Sequence, residues 1–323
     1  MTLRFSSILK MLSTAAIAAT LLIGHAHALD GVKFMIGANP GGGFDQTGRG
    51  LGKAMVDAGV AKNAQFENKG GAGGTIGLAQ FASASKGDPS SMIVTGAVMV
   101  GAIVQNKPPV TLANATPIAR LFYEYNVFVV PANSPLKSMA DVVAMLKKDP
   151  GSVKWGGGSR GSVDHISVAM IAKESGVDPT KINYVPFQGG GEASAAILGG
   201  HVTVGTSGFS EMQQFIKSGK MRALAVTSGT KLPGDTIPTL KEQSINVEIG
   251  NWRGVYGAPG ITDMQKKALI DAVVAATKQK SWNDALAGND WFPSLLTGDE
   301  FSKFVDADHK RIEESMRAVG LIK

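Results

Sequence analysis

The chain lacks cysteine, carries few aromatic residues and contains only five histidines among its 323 residues. Without cysteine no disulfide can stabilise the fold, so its stability must come from a hydrophobic core. His25 and His27 fall in the N-terminal segment, and the remaining histidines form no cluster at a spacing used by metal ligands. The composition therefore argues against a disulfide scaffold and against a metal site.

Long apolar runs and strong charge are also missing. A membrane span needs about 20 consecutive apolar residues, and no segment after residue 28 reaches that length. The net charge of +6 comes without a run of Lys or Arg and without interleaved aromatic residues, so nucleic acid is not an expected partner. A small anion is compatible with this mild positive charge.

The first 28 residues have the pattern of a secretory signal peptide. Arg4 and Lys10 precede an apolar run from Met11 to Gly24, and Ala26-His27-Ala28 matches an A-x-A cleavage site. Cleavage near Ala28 predicts an exported, periplasmic chain of 295 residues, enough for two domains of common size. An uncleaved anchor is the alternative interpretation of this segment.

A glycine-rich stretch from Asn39 to Arg49 follows a short apolar segment and precedes a helical pattern. Its three successive glycines, Gly41 to Gly43, let the backbone approach a ligand, and the following helix points free N–H groups at the loop. We interpret the stretch as a binding site for a small anion. A second stretch, Gly156 to Ser162, occupies the same position after another predicted strand. Two such loops suggest two domains that hold one ligand.

The unit of strand, glycine loop and helix recurs along the chain, which predicts an α/β fold with mainly parallel sheets flanked by helices. Thr95 and Ala97 end a third predicted strand, at the sheet edge where the glycine loops meet. Separate strands are predicted at 117–122 and 126–130, and a helix at 239–243. The chain is expected to cross between domains twice. The predicted domains are 29–130 with 247–323, and 131–246.

None of the glycine loops matches a nucleotide-binding motif. After Gly71 and Gly73 a dinucleotide fingerprint needs glycine at 76, where Ile76 stands, and no Gly-Lys-Ser or Gly-Lys-Thr phosphate loop is present. No cofactor is therefore expected.

Gly157 to Gly161 matches G-x-S-x-G, the nucleophile elbow of α/β-hydrolases, with Ser159 as the nucleophile. A catalytic triad would also need one of the histidines His165, His201 or His309 as a base. A secreted serine hydrolase is thus the alternative function. His165 is otherwise interpreted as a packed or capping residue, or as a donor to a ligand.

Three charged residues near the loops leave two interpretations open. Asp45, in the first turn of a helix, is a helix cap or a residue that contacts the ligand. Arg49 and Arg160 are carboxylate partners or solvated surface residues.

Three motifs in one order resemble the extracytoplasmic solute receptors of tripartite tricarboxylate transporters, the Bug family. The resemblance covers essentially the whole chain after residue 28, and its one departure is Gly71, where the family usually has proline. The motifs are Pro40-Gly41-Gly42-Gly43-x-Asp45-x-x-x-Arg49, Glu67-Asn68-Lys69-Gly70-Gly71-Ala72-Gly73-Gly74-x-x-Gly77 and Gly158-Ser159-x-Gly161-Ser162-x-x-His165.

The resemblance implies a two-domain periplasmic binding protein fold, type II-like, with two crossovers at the hinge. It also implies a non-enzymatic monomer that closes on a small organic acid and meets the permease of a tripartite membrane transporter. Phe44 stands where tricarboxylate binders of the family tend to carry an aromatic residue, which favours a citrate-like ligand. The candidate ligand-binding residues are Gly42, Gly43, Phe44, Asp45, Gly73, Gly74, Thr95, Ala97, Gly158, Ser159, Gly161, Ser162, His165, Gln188 and Ser207.

Overall fold

A computed structural model describes residues 29–323, and the predicted signal peptide, residues 1–28, lies outside the described residues. The strands are β1 (Val32–Ile36), β2 (Ala64–Asn68), β3 (Ser91–Gly96), β4 (Thr116–Pro131), β5 (Lys154–Gly157), β6 (Asn183–Pro186), β7 (Val204–Gly208), β8 (Met221–Val226), β9 (Gly250–Gly257) and β10 (Phe292–Thr297). The α-helices are α1 (Gly43–Asp57), α2 (Thr75–Ala84), α3 (Ala97–Asn106), α4 (Met139–Lys148), α5 (Val163–Glu174), α6 (Gly190–Leu198), α7 (Phe209–Lys217), α8 (Asp263–Ala276), α9 (Lys280–Gly288) and α10 (Gly298–Ala318).

The strands form one connected path in the order β2-β1-β3-β9-β4-β7-β5-β6. Strands β2, β1 and β3 are parallel, as are β6, β5 and β7. Between these groups β9 and β4 run antiparallel to their neighbours, and β8 and β10 also pair with β4. We call β1 to β3, β9 and β10 with α1 to α3 and α8 to α10 lobe 1, and β5 to β8 with α4 to α7 lobe 2. The predicted α/β fold, with mainly parallel strands on each side, is confirmed.

Strand β4 joins the two lobes, and the prediction of two separate strands there was wrong. Its first part, to Tyr125, pairs with β9, whereas its last part, from Asn126, pairs with β7 and β8. Glu124, between the two predicted segments, is buried in an ion pair, and the strand continues through it. The exact domain boundaries stay a prediction.

The C-terminal part of the chain packs on lobe 1. The apolar faces of helices α8 and α10, including Leu269 and Phe301, belong to the lobe 1 core. Helix α9 and strand β10 were not predicted, and the expected helix at 239–243 is only a short 3-10 turn, Lys241–Gln243.

The core has separate clusters in the two lobes. Phe34, Trp252 and Trp282 lie in the lobe 1 cluster, whereas the sheet of lobe 2 carries one cluster on each face. Val163 and Ile166 begin α5 in lobe 2, yet both pack in the lobe 1 cluster. The lobes are therefore in direct contact beside the start of α5. Within residues 29–323 no helix combines the length and apolar character that crossing a bilayer requires.

Candidate ligand-binding site

A cleft of about 340 Å³ lies between the two lobes. It is lined by the glycine loops that follow β1, β5 and β6 and by residues of β7 and β9. Ligand pockets in proteins measure roughly 300–1,000 Å³, so this cleft suits a small molecule.

Two helix N-termini face each other across the cleft. The N-cap of α1 is Gly42 and that of α6 is Gly189, and neither cap has a side-chain hydrogen bond. A Cβ atom on Gly42 would lie 3.5 Å from the backbone nitrogen of Gly190. Because first-turn N–H groups lack partners within a helix and carry the positive end of its dipole, this pair of termini favours an anion.

Helix α5 differs from α1 and α6, because its N-cap residue, Ser162, has a side-chain hydrogen bond. Ser162 accepts a hydrogen bond from the backbone nitrogen of His165 at 3.4 Å, and Gly158 N–H donates to Asp164 Oδ2 at 2.6 Å. The buried hydroxyl oxygen of Ser159 has no hydrogen-bond partner among the described residues, and Ser159 lines the cleft. Ser159 therefore offers a free hydroxyl to a ligand.

Gly73 of lobe 1 lies directly against Ser159 of lobe 2. Its φ of +65° lies in the left-handed region, and a Cβ atom there would lie 2.8 Å from Ser159 Oγ. Both the backbone conformation and the close approach of the lobes therefore require glycine at this position.

The floor of the cleft is a buried cluster of charged side chains. Arg253 of β9 donates to Glu124 Oε1 of β4 from Nε at 2.9 Å and from Nη2 at 2.5 Å, and its Nη2 lies 3.7 Å from Glu211 Oε1. Ser207 donates to Glu211 Oε2 at 3.1 Å. One guanidinium thus forms ion pairs with Glu124 and Glu211, and its charge also acts on Asp164. The described residues contain no group of three or more His, Cys, Asp or Glu placed to hold a metal ion.

Two glycines make room for the Glu211 carboxylate. A Cβ atom on Gly43 would lie 2.8 Å from Glu211 Oε1 and 2.5 Å from Arg253 Nη2, and one on Gly190 would overlap Glu211 Oε2. The carboxylate of Glu211 therefore packs against Gly43 and Gly190, the first residues of α1 and α6.

Burial raises the pKa values of the two acids that line the cleft. The pKa of Glu211 rises to about 7 because of its burial and the nearby negative charge of Glu124, although Arg253 opposes the shift. Burial also raises the pKa of Asp164 to about 6, against the hydrogen bonds from Gly158 and Asn126. Near neutral pH both acids are thus poised to respond to a charged ligand.

Roughly half of the predicted ligand-binding residues line the cleft. Those on its wall are Gly42, Gly43, Phe44, Gly73, Gly158, Ser159, Gln188 and Ser207. Those that the structure does not bring to the wall are Asp45, Gly74, Thr95, Ala97, Gly161, Ser162 and His165.

Asp45 points away from the cleft and braces the first glycine loop. Its carboxylate accepts hydrogen bonds from Gly41 N–H at 3.0 Å, from Arg49 Nε at 2.9 Å and from Asn68 Nδ2 at 3.0 Å. Burial alone would raise the pKa of Asp45, but these hydrogen bonds hold it below its usual value. The structure therefore supports the capping interpretation of Asp45, and it places Arg49 off the cleft wall, where its side chain donates to Asp45 and Asn68.

The other predicted residues that do not line the cleft are buried behind the loops or hold the loop backbone in place. Thr95 and Ala97 are fully buried, and Thr95 Oγ1 lies 3.5 Å from Met99 Sδ. Gly74 has a φ of +94° and packs against Gly37. Gly161 and Ser162 hold the backbone of the second loop through their bonds to His165. Buried strand ends and loop glycines have the same sequence pattern whether they contact a ligand or a neighbouring loop, so sequence alone does not separate them.

His165 is a structural residue in this site. Its Nδ1 accepts a hydrogen bond from Gly161 N–H at 3.1 Å, and its ring packs on Tyr184 with centroids 4.3 Å apart. Burial, together with the charge of Arg160, lowers the pKa of His165 to about 4, so the ring is neutral. Because Ser159 Oγ has no partner in the described chain, the serine–histidine contact of a hydrolase elbow is not formed there.

Sequence reasoning missed the charged floor of the cleft. Arg253 and Asn251 lie in β9, and Glu211 lies in the first turn of α7, where an acid is commonly a cap. The available signal was a charged residue inside an apolar strand, since a buried charge requires a partner. Arg160 lies at the cleft as well, where its Nη2 donates to the carbonyl of Tyr184 at 3.4 Å.

Comparison with known proteins places these features in a family. The family model described as "Tripartite tricarboxylate transporter family receptor" matches residues 53–321. BugT of Bordetella pertussis is 26% identical over 298 residues, which cover 90% of this chain and 89% of BugT. A UPF0065 protein from the gbd 5′ region of Cupriavidus necator is 28% identical over 265 residues, which cover 80% of this chain and 78% of that protein.

Solved structures share the fold. The periplasmic binding protein BugD superposes with a TM-score of 0.81 at 22% identity, over 90% of this chain and 98% of BugD. MatC from Rhodopseudomonas palustris, solved with malate, has a TM-score of 0.76 at 21% identity, over 88% of this chain and 98% of MatC. A second R. palustris protein, solved with adipate, has a TM-score of 0.81 at 20% identity, over 90% of this chain and 97% of that protein. The two-domain periplasmic binding protein fold is thereby established, and the chain belongs to the family of tripartite tricarboxylate transporter receptors.

Proposed function

We propose that this protein is a monomeric periplasmic receptor, without catalytic activity, that binds a small organic carboxylate between its lobes. It then delivers the acid to the membrane permease of a tripartite transporter. The observation that carries the proposal is the pair of helix N-termini, at Gly42 and Gly189, that face one cleft without side-chain caps. Ser159 adds a free hydroxyl to the same cleft. These groups donate hydrogen bonds, as carboxylate recognition requires.

The ligand belongs to the di- and tricarboxylates. Malate and adipate, held by two proteins of this fold, are dicarboxylates, which supports the class. The finer preference for a citrate-like acid depends on Phe44. In the structure Phe44 is buried under the guanidinium of Arg253, whose carbon lies 5.0 Å from the ring centroid. The ring thus contributes to the wall of the cleft, and citrate stays a prediction to be tested beside smaller acids.

The number of available donors is sufficient for useful affinity. Hydrogen bonds to a charged group contribute about 1.5–3 kcal/mol each, and a micromolar complex corresponds to roughly 8 kcal/mol. Four or five such bonds at one carboxylate reach that value after the cost of ordering both partners.

Closure of the lobes is the proposed mechanism. Asn39 Nδ2 of lobe 1 donates to Glu192 Oε1 of lobe 2 at 2.5 Å, so this hydrogen bond links the two lobes. A ligand that touches both lobes stabilises this closed form over an open one, and the permease can then recognise the closed form.

The proposal is tested by thermal unfolding of the purified chain 29–323 with a panel of mono-, di- and tricarboxylates. A ligand present at about 100 times its Kd stabilises the folded state by about 2.7 kcal/mol, which raises the Tm measurably. Ser159→Ala should weaken the effect, whereas Ser83→Ala, at an exposed position in α2, should not.

If no acid raises the Tm, the receptor proposal fails. Turnover of simple esters that is lost in Ser159→Ala would instead establish the hydrolase alternative.

A further inference from the structure

The floor of the cleft carries more carboxylates than positively charged groups. Arg253 makes both of its short hydrogen bonds to Glu124 and lies 3.7 Å from Glu211, so one positive charge is shared by more than one carboxylate. Glu211 and Asp164 line the cleft as well, and both are buried. A ligand with only negative charges would therefore meet two further carboxylates, each in a site of low dielectric constant.

A second observation at the same floor points to a missing hydrogen-bond donor. Asn251 is 1% exposed, lines the cleft, and its carboxamide oxygen has no hydrogen-bond partner among the described residues. It stands two residues before Arg253 in β9, so both side chains emerge on the same face of the strand. A buried unpaired oxygen of this kind is costly unless a ligand or water donates to it.

The cleft thus has two chemically different parts. The N-termini of α1 and α6, Ser159 and Arg160 supply hydrogen-bond donors and positive charge. The floor supplies acceptors, namely the carboxylates of Glu211 and Asp164 and the oxygen of Asn251. A ligand that satisfies both parts carries a carboxylate and, a few bonds away, a group with several N–H donors and a positive charge.

We propose that the ligand is an amino acid or related amino-carboxylic acid, whose ammonium group binds Glu211 and Asn251 while its carboxylate binds the donor part of the cleft. Asp164 adds negative charge beside the same ammonium group. This inference rests on the proposed receptor function and narrows its substrate class.

The test is calorimetric titration of the chain 29–323 with pairs of acids that differ only in the amine: aspartate with succinate, and glutamate with glutarate. We expect the amino acid of at least one pair to bind at least tenfold more tightly than its amine-free partner. Citrate and tricarballylate extend the series to trianions, which should bind more weakly than the dianions.

Glu211→Gln identifies the side chain responsible, because it keeps the shape and removes the charge. The ratio of affinities within a pair should fall towards one, with the amine-free acid bound as well as or better than by the wild type. Glu174→Gln, which removes an exposed charge at the end of α5, serves as the matched control and should keep the ratio.

The outcomes separate this inference from the function on which it rests. If amine-free acids bind as tightly as the amino acids or more tightly, the inference is overturned and the carboxylate receptor stands. If no acid of either kind binds, both are overturned. A tenfold preference that survives in Glu211→Gln excludes Glu211 as its source and also overturns the inference. The wild-type pairs decide the substrate class even if the variant does not fold.

Discussion

Arg253 and Glu124 form a buried ion pair that ties β9 to β4 at the point where the two lobes meet. Both side chains are almost fully buried, and two nitrogens of the guanidinium donate to the same carboxylate oxygen. Because the pair lies directly beneath the cleft, the fold and the binding site share the same residues. Its removal should therefore affect stability as well as ligand recognition.

Glu124→Gln should destabilise the protein by about 3–5 kcal/mol, because it leaves the charge of Arg253 buried without its main partner. Glu211, 3.7 Å from Arg253, is expected to bring the effect to the lower end of that range. Urea unfolding measures the change. Glu248→Gln, which breaks a half-exposed pair with Lys241, should cost less than about 1 kcal/mol. Equal effects of the two substitutions would contradict this account.

Glu211→Gln should make the unliganded protein more stable, and the gain should grow with pH. The folded-state pKa of Glu211 is about 7, above its usual 4.5, because of burial and the negative charge of Glu124. The positive charge of Arg253 opposes this rise, and the negative charge of Asp164 adds to it. Between these values the folded state binds more protons than the unfolded state, so wild-type stability falls as pH rises.

Urea unfolding at pH 5, 6, 7 and 8 should show the difference between Glu211→Gln and wild type widening across the series. A difference that is the same at every pH would show that Glu211 does not titrate in this window.

Asp45→Asn should destabilise the protein at neutral pH without a comparable loss of ligand affinity. Its hydrogen bonds lower the pKa of Asp45, so the stabilisation is complete above the usual carboxylate range and is lost as pH falls through the folded-state value. We expect a loss of about 1–3 kcal/mol at pH 7 that shrinks below pH 4. A tenfold loss of affinity with unchanged stability would instead show that Asp45 contacts the ligand.

The glycine loops were predictable because their sequence pattern follows from backbone physics. Gly42, Gly73 and Gly158 each follow a strand, and their positions at the cleft could be inferred from the strand–loop–helix order alone. The approach of a loop to a ligand and its approach to another loop require the same absence of a side chain. Gly161 was therefore assigned to the ligand, although in the structure it lies against Gly101 of α3.

The charged floor was not predictable in the same way. Glu124, Glu211 and Arg253 come from three distant segments, and each has an ordinary local explanation as a strand-end polar residue, a helix cap or a surface charge. Only the pairing of β4 with β9, and the close approach of α7 to them, brings the three side chains together. The tertiary structure, rather than local sequence, creates this part of the site.

Asn39→Ala should weaken ligand binding about 2- to 10-fold, which corresponds to the net 0.5–1.5 kcal/mol of one hydrogen bond. The lost bond, from Asn39 to Glu192, links the lobes, so its removal disfavours the closed form. Gln80→Ala is the matched control, because Gln80 makes a comparable bond of 2.7 Å to Glu67 within lobe 1. Calorimetric titration should show an effect for Asn39→Ala alone.

Gly101→Ala should prevent closure of the cleft. A Cβ atom on Gly101 of α3 would overlap the carbonyl oxygen of Gly161 and lie 3.1 Å from its carbonyl carbon. The backbone of Gly161 cannot easily retreat, because its N–H is bonded to His165 and its φ is +79°. The lobes themselves must then separate, so we expect the affinity for the ligand to fall at least tenfold, or by about 1.4 kcal/mol.

Gly50→Ala is the matched control for Gly101→Ala, since it makes the same change in helix α1. There a Cβ atom would lie 3.7 Å from Trp282 and 3.9 Å from Ala285, which is ordinary contact. Both substitutions favour the helix by up to about 1 kcal/mol, so neither should unfold the unliganded protein. With saturating ligand, small-angle X-ray scattering should show that the wild type and Gly50→Ala contract, whereas Gly101→Ala does not. Contraction and normal affinity in Gly101→Ala would mean that α3 and the second glycine loop do not meet in the ligand-bound form.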